Sequence, residues 1–474
     1  MILQPDTKST YYKAFNNRWQ KIGAICEGEE TIKDMGDLYL PKLSGQTAKE
    51  YDAYRNRGTF FNAFLRTVTG LVGAIIRKEP VIKTHASIDK LLGGITLYNE
   101  SIQEVIKVCL TNILEFGYYG ILIDMPIEQS ENNNPYFALY APSSILNLKT
   151  ERLGSDYKLT LLSLLEVESV PDPDNPFADS SIERIRVLSI EDGVLVIRLY
   201  KKNSVSAVKG KEEWVQDGED ILPRIRGKNA TEIPFVFLGS LSNTPIPDPP
   251  PLMDLANLNI KHWQLTVDYY HGLHYCAIPT PWAAGFGKGT DLYIGANRAW
   301  VSDDPNAKCG YLEFTGSGLS AVLAAIDKLE NQMAIIGARM LEEQKKAAEA
   351  ADTVRMRYSG DTATLSGVVG CIEQGIMKAI DWLGIWLGIE AKTEVMMNRD
   401  FVSESLDSQQ ITALLQSWQA SAISLDTFLY NLQVGEVLPP DRTIADEKLL
   451  IEATASFSND SSDIFGGQNP EFLA

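Results

Sequence analysis

The chain has 474 residues, of which 45% are hydrophobic, so it is long enough to bury a large core in about two to four domains. Its 62 acidic residues outnumber its 43 lysines and arginines and give a formal charge of -19. Because duplex DNA is held largely by lysine and arginine, this balance argues against a static DNA clamp. It permits a protein that surrounds DNA without adhering to it, and it also suits an ordinary soluble surface.

The cysteines and the termini indicate the compartment. The five cysteines are widely spaced and form no CxxC pair, which favours a reducing environment over a disulfide scaffold or a zinc ribbon. The N-terminus has no signal-like apolar segment, and no stretch reaches the roughly 18 unbroken apolar residues of a membrane span. We therefore expect a soluble protein that is intracellular where it is made.

The predicted elements up to residue 251 are helices followed by strands. Apolar spacing predicts an amphipathic helix before residue 36, a long buried helix that Pro80 ends, and another in SIQEVIKVCLTNILEFGYYG. Strands are expected from Gly120 onward, and β-type runs separated by turn sequences fill 158–239. The stiff segment TPIPDPPP, which ends at Pro251, then marks a boundary.

Two long helices of opposite sense are predicted next, over 252–275 and 317–345, because apolar residues recur there at steps of three and four. The segment between them is rich in Gly, Pro and aromatic residues and predicts a few small strands. Such a segment buries little alone, and pairing with copies of itself in a ring would supply the missing contacts. Residues 346–361, with Gly360, interrupt the pattern and predict a loop before helices resume.

Candidate sites for chemistry are few. No GxxxxGK[ST] or strand-following GxGxxG is present, which argues against an ATP-driven motor. His271 and His274 share a helix face with Asp268 in a spacing compatible with metal ligation. Packing between helices is the favoured interpretation, because no second segment contributes ligands.

A cationic cluster lies around the predicted loop. Lys345 and Lys346 close the second long helix, and Arg355 and Arg357 follow in the loop. Lysines near a helix C-terminus favour its dipole and are solvated. In a ring, the same cations would meet phosphates in a central pore, and both interpretations can hold together.

Four stretches in succession carry a family resemblance: YLPKLSGQTAKEYDAYRNRGTFFNAFLRTVTGLVGAIIRKEP, PPLMDLANLNIKHWQLTVDYYHGLHYCAIPTP, YLEFTGSGLSAVLAAIDKLENQMAIIGARML and SGDTATLSGVVGCIEQGI. The chain resembles the portal proteins of tailed bacteriophages, especially a subgroup described only as a domain of unknown function. Together the four stretches cover most of residues 37–390.

The resemblance implies an α+β portal-protein fold with a mixed α/β wing, two long stem helices, a small β-containing clip and a helical C-terminal crown. The implied parts are a wing at 1–251, stem helix 1 at 252–275, a clip at 276–316, stem helix 2 at 317–345, a tunnel loop at 346–361, a C-terminal part of the wing at 362–403, and a crown with a disordered tail at 404–474.

The resemblance also implies a function without catalysis and without a cofactor. The chain would form a homo-dodecameric ring at one capsid vertex, a head-tail connector through which double-stranded DNA enters during packaging and leaves at ejection. The implied partners are the terminase large subunit, the major capsid or scaffolding protein and a head-tail adaptor, with no membrane. The location would be the virion, and the host cytoplasm during assembly. The expected tunnel residues are Lys345, Lys346, Arg355 and Arg357, and the clip aromatics expected to mediate oligomerisation are Trp282, Phe286, Tyr293, Trp300 and Tyr311.

Two other functions fit parts of the pattern. One is a helical adaptor of the virion, monomeric or dimeric, with no channel. The other is a metal-dependent nuclease that uses Asp268, His271 and His274. The chain departs from the portal family in its C-terminal region, which is short. This argues against an extended C-terminal barrel that grips DNA.

Overall fold

The computed structural model describes residues 4–126, 134–172, 175–203, 213–277, 280–287, 292–293, 299–312, 316–338, 351–390, 392–399, 401, 406, 408–435, 437–438 and 442–453. It describes the backbone alone at residues 172, 176, 203, 280, 337–338, 351–364 and 434. The chain forms two compact units, Met1–Arg399 and Asp400–Ala474. Helices and strands both build the first unit, which confirms the predicted α+β class.

The helices of the first unit begin and end at signals that the sequence supplies. They are α1 Thr10–Glu27, α2 Glu29–Asp34, α3 Ala48–Arg57, α4 Ala63–Ile75, α5 Ala86–Asp89, α6 Ile102–Phe116, α7 Met253–Ala277, α8 Leu319–Met333 and α9 Ala351–Leu387. Capping boxes start α3 at Thr47 and α6 at Ser101, because each hydroxyl accepts an N–H from a glutamate that in turn accepts the cap's own N–H. Gly117 ends α6 in the left-handed conformation, with φ 74°.

The strands form several small sheets. They are β1 Val81–Lys83, β2 Tyr118–Asp124, β3 Tyr136–Tyr140, β4 Ile145–Leu153, β5 Asp156–Asp172, β6 Asn175–Glu191, β7 Val194–Asn203, β8 Glu213–Gln216, β9 Arg224–Ile225, β10 Lys228–Asn229, β11 Phe235–Gly239, β12 Thr280–Ala284, β13 Lys308–Leu312 and β14 Glu394–Met396. The largest sheet has the order β4-β5-β6-β7-β8, and every neighbour in it is antiparallel, as the turn-punctuated β runs predict.

The core of this β region is shared with α1. Leu162 and Leu164 of β5 and Ile185 and Leu188 of β6 are fully buried, and Trp19 of α1 packs into the same cluster. Burial of each such side chain contributes roughly 1.5–3 kcal/mol. The amphipathic helix predicted before residue 36 is therefore part of the hydrophobic core.

A three-stranded sheet, ordered β11-β2-β3, lies under α9. Gly375 lets the helix approach closely, since a Cβ at this position would lie 1.9 Å from Cδ2 of Leu238. The indole Nε1 of Trp386 donates to the carbonyl of Ile123 over 3.1 Å. Beyond α9 the chain pairs β14 with β1, which brings residues 394–396 back against the N-terminal part of the first unit.

The structure corrects the predicted loop at 346–361. Residues 346–350 lie outside the described residues, but α9 begins at Ala351, so residues 351–361 are helical and the prediction of a loop there is wrong. The polar run that suggested a loop contains no proline, and a single glycine such as Gly360 costs a helix only about 1 kcal/mol.

The second unit contains helices α10 Ser408–Gln419 and α11 Leu425–Val434, and residues 444–453 are helical as well. Trp418 of α10 stacks on Phe428 of α11, with ring centroids 5.2 Å apart. The predicted helical character of this region is confirmed, whereas its role as a crown stays a prediction and the tail after residue 453 lies outside the described residues. Among the helices described in either unit, none is long and apolar enough to cross a membrane.

Candidate functional site

Helix α7 has a buried half and an exposed half, and the helix predicted at 252–275 is confirmed. The buried side chains all lie within the first 15 of its 25 residues: Leu255, Ala256, Asn259, Ile260, His262, Trp263, Thr266 and Val267. Farther along, the side chains of Tyr270, Leu273 and Tyr275 are between 39% and 53% exposed. The helix therefore leaves the core halfway along its length and carries apolar side chains into solvent.

Polar side chains hold the buried half in place. The amide of Asn259, which is fully buried, accepts the N–H of Phe64 over 3.0 Å and donates to the carbonyl of Phe61 over 2.8 Å. Gly58 allows α3 to end directly on α7, since a Cβ there would lie 2.2 Å from Cγ2 of Val267. The apolar spacing of α7 did not reveal these anchors, although polar residues within an apolar helix face were the available signal.

Helix α8 runs beside α7 in the opposite direction, as the sequence predicts. A Cβ at Gly272 would lie 2.8 Å from Cδ2 of Leu319, while Nε2 of His262 lies 3.1 Å from Oε1 of Glu330. Residue numbers thus rise along α8 as they fall along α7. The helical backbone continues from α8 as a π-turn over Ala334–Ala338, and residues 339–345 of the predicted helix lie outside the described residues.

A β-hairpin follows α7 and precedes α8. Strands β12 and β13 are antiparallel, with Thr280 opposite Leu312 and Ala284 opposite Lys308, so the small strands predicted between the helices are confirmed. Together, α7, β12, β13 and α8 are named the helix pair with its hairpin. Leu323 on α8 is 43% exposed, which extends the exposed apolar surface from α7 onto its neighbour.

The five predicted clip aromatics fall into two groups. Phe286, Tyr293 and Trp300 come together, because the Phe286 and Trp300 rings lie 6.4 Å apart and Nε1 of Trp300 donates to the carbonyl of Tyr293 over 2.8 Å. Trp282 and Tyr311 lie instead on β12 and β13, where they are 44% and 55% exposed. Their part in oligomerisation stays a prediction.

Two of the three residues considered for a metal site, Asp268 and His271, have hydrogen-bond partners in the protein. The hydroxyl of Tyr54 donates to Oδ1 of Asp268, and Nη1 of Arg57 lies 3.1 Å from Nδ1 of His271. Burial and then the Asp268 carboxylate raise the pKa of Tyr54, which keeps the phenol a donor. Within the part of the chain that the structure describes, no three His, Cys, Asp or Glu side chains are placed to hold a metal ion. Asp268 and His271 thus join α7 to α3.

Acidification is expected to weaken this contact between α3 and α7. Burial, the Arg57 guanidinium and His274 together lower the pKa of His271 below its ordinary value of 6.5. The pKa of His271 is lower in the folded chain than in the unfolded chain. The neutral ring therefore stabilises the folded state above pH 6.5, and this stabilisation is lost as the pH falls through the pKa of the folded state. The urea midpoint should decrease more between pH 7.5 and pH 5.5 for the wild type than for His271→Gln. An equal decrease in both proteins would contradict the assignment.

The predicted tunnel cations are not brought together by the described structure. Lys345 and Lys346 lie outside the described residues, and Arg355 and Arg357 lie in α9, where the backbone alone is described. Their contact with DNA stays a prediction.

In comparisons with known proteins, a family model matches part of the chain. The family model described as Domain of unknown function (DUF4055) matches residues 251–387, which include the helix pair with its hairpin and α9. No curated protein matches the chain.

Solved structures similar to the chain come from gene transfer agent (GTA) particles. The neck of an empty GTA particle computed with C6 symmetry is 12% identical, with a TM-score of 0.36, and covers 79% of this chain and 91% of that chain. The neck of a native GTA particle computed with C12 symmetry is 11% identical, with a TM-score of 0.38, and the match covers 85% of this chain and 99% of that chain. A chain in the virion of a native GTA particle is 12% identical, with a TM-score of 0.35, and the match covers 87% of this chain and 99% of that chain.

Proposed function

We propose that the chain is the subunit of a portal, a closed ring at one vertex of a phage capsid through which double-stranded DNA is packaged and ejected. The observation that carries the proposal is the exposed half of α7. A helix whose N-terminal half is anchored in a core and whose C-terminal half presents Tyr270 and Leu273 to solvent needs a partner to cover it.

Copies of the same chain are suitable partners. A surface that contacts a different surface on the next copy generates a ring whenever the rotation between neighbours closes. The helix pair offers two such sides, one on α7 and one on α8, and the resemblance to portal proteins supplies the expectation of twelve copies. The formal charge of -19 fits a channel wall over which DNA must slide.

The partners follow from the resemblance. The hairpin would dock the terminase large subunit, which hydrolyses ATP, and later a head-tail adaptor, while the wing would meet the capsid or scaffolding protein. The portal itself would catalyse no reaction and hold no cofactor. It would reside in the virion at the portal vertex, after assembly in the host cytoplasm.

The mass of the purified chain in solution tests the proposal. Light scattering is expected to give twelve copies of 52.5 kDa, about 630 kDa, and negative-stain images of the same sample should show a central hole. Rings of a neighbouring copy number would also support a closed channel. A chain that stays monomeric or dimeric even when it is co-expressed with its capsid and scaffolding proteins would contradict it and favour the adaptor without a channel.

The tunnel cations allow a second test. Changing Lys345, Lys346, Arg355 and Arg357 together to alanine is expected to leave the ring intact and to abolish DNA packaging. The matched control removes four exposed lysines elsewhere, Lys49, Lys90, Lys107 and Lys149, and should package as the wild type does. Packaging that survives the tunnel substitutions would remove these four residues from the mechanism.

A further inference from the structure

The hairpin of β5 and β6 extends well beyond the sheet to which it belongs. Strand β4 pairs with β5 only as far as Leu164, and β7 pairs with β6 only from Arg184 onward. Residues 167–172 and 175–183, together named the arm, continue past these points as two strands that pair with each other. No other described strand pairs with the arm. A two-stranded ribbon that projects from a sheet buries little apolar surface of its own, so a partner is expected.

The arm is acidic and apolar at once. Its two strands, VESVPD and NPFADSSIE, contain four acidic residues and no lysine or arginine. Phe177, near the tip, is 98% exposed, and Val167 is also largely exposed. Glu168 and Glu183 form ion pairs with Arg184 and Lys202 at the base of the arm, whereas the exposed Asp179 has no ion pair with a described residue. The partner should therefore be basic with an apolar spot.

A surface of that kind exists on the same chain. Residues 222–229, named the basic hairpin, contain β9 and β10 and the sequence LPRIRGKN. Arg224, Arg226 and Lys228 are exposed, and none of them forms an ion pair with a described residue. Leu222 beside them is 48% exposed. The three cations with an adjacent leucine complement an acidic tip with an exposed phenylalanine.

The two surfaces lie at opposite ends of the large sheet. Ala230, next to the basic hairpin, accepts the N–H of Leu195 over 2.7 Å, and Leu195 pairs with Ile190 near the C-terminal end of β6. The tip of the arm lies at the N-terminal end of β6, at Asn175. Since β6 has 17 residues, the two ends are about 50 Å apart at roughly 3.3 Å per residue. One copy cannot join its own arm to its own basic hairpin.

We infer that the arm of one copy docks on the basic hairpin of the next copy. Two different surfaces at opposite ends of one chain make a head-to-tail contact, which repeats around a closed ring. Phe177 covers Leu222 in this contact, and Asp179 faces Arg226 and Lys228. The inference rests on the proposed ring, to which it adds an interface outside the helix pair. DNA is the competing occupant of the basic hairpin, because phosphates bind such cations.

Zero-length cross-linking tests the contact in the assembled full-length chain. A carbodiimide activates a carboxylate, and a lysine amine within direct reach then forms an amide with release of a urea. Rings assembled from mixed ¹⁴N and ¹⁵N protein should yield mixed-label cross-links between the arm and Lys228. Lys228→Arg keeps the charge and removes the amine, so this matched variant should form rings and lose the cross-link. Rings that give no such link in the wild type would overturn the inference.

Charge reversal gives an independent readout. Asp179→Lys and Lys228→Asp are each expected to raise the protein concentration at half-assembly about three- to tenfold at low salt, because each sets like charges against one another. The variant that carries both substitutions should assemble at a concentration close to that of the wild type. The penalty should shrink at high salt, where exposed charges are screened. Single variants that assemble as the wild type does would contradict the contact.

The outcomes separate the inference from the proposed ring. Rings without cross-links refute the arm contact and leave the ring standing. Cross-linked open chains or dimers without rings support the contact and refute the closed channel. Binding of a DNA duplex that protects Lys228 from an amine-acetylating reagent, in rings that give no cross-link between Lys228 and the arm, would assign the basic hairpin to DNA and overturn the inference.

Discussion

Replacing Tyr270, Leu273 and Leu323 together by serine is expected to reduce ring formation by about tenfold or more. Each of these side chains is about 40% exposed on the helix pair. Burying an apolar side chain of this size contributes up to roughly 1.5–3 kcal/mol. Because the triple variant lacks three such side chains at every interface of the ring, its free energy of assembly is much less favourable. Light scattering and negative-stain images at a fixed protein concentration measure the fraction of assembled chain.

The matched control removes exposed apolar side chains that lie away from the helix pair. Leu97 and Tyr98 are 73% and 90% exposed, and their replacement by serine should leave assembly unchanged. Circular dichroism of both variants must match that of the wild type, because serine at Leu273 also lowers helix propensity slightly. A triple variant that still forms complete rings would show that the helix pair does not hold neighbouring copies together.

Replacing Arg186 by methionine is expected to lower the free energy of unfolding by about 3–5 kcal/mol. Nη1 of Arg186 donates to Oδ2 of Asp124, and its Nε lies 2.8 Å from Oε1 of Glu166. Burial works to lower the pKa of the guanidinium, but the two carboxylates outweigh it and raise that pKa. Removing the cation leaves two carboxylates close together in a largely buried site. Urea unfolding followed by tryptophan fluorescence measures the loss.

Arg198 provides the control for this substitution. It also bridges two carboxylates, Glu191 and Asp220, but both of these are well exposed. Arg198→Met should therefore cost no more than about 1 kcal/mol. Adding Asp124→Asn and Glu166→Gln to Arg186→Met should restore part of the lost stability, because the uncompensated charges are then gone. Equal losses for the two arginine variants would contradict the importance of burial.

The helix pair with its hairpin could be predicted because its signals are local. Apolar residues at steps of three and four define α7 and α8, and glycine and proline between them define the short strands. The same kind of reasoning failed at 351–361, where a polar run without an apolar stripe still forms the first turns of α9. A missing apolar face indicates solvent exposure as readily as it indicates a loop.

The sequence by itself determined the class of fold, the two antiparallel helices, the β-hairpin between them and the acidic balance, since each depends on composition or on neighbours a few residues apart. Only the tertiary structure decided that α7 is buried along one half alone. It also decided that Arg186 meets Asp124 and Glu166 from three different strands, and that the arm and the basic hairpin lie at opposite ends of one sheet. Strand pairing joins residues far apart in the chain, and its register depends on packing that no local period encodes.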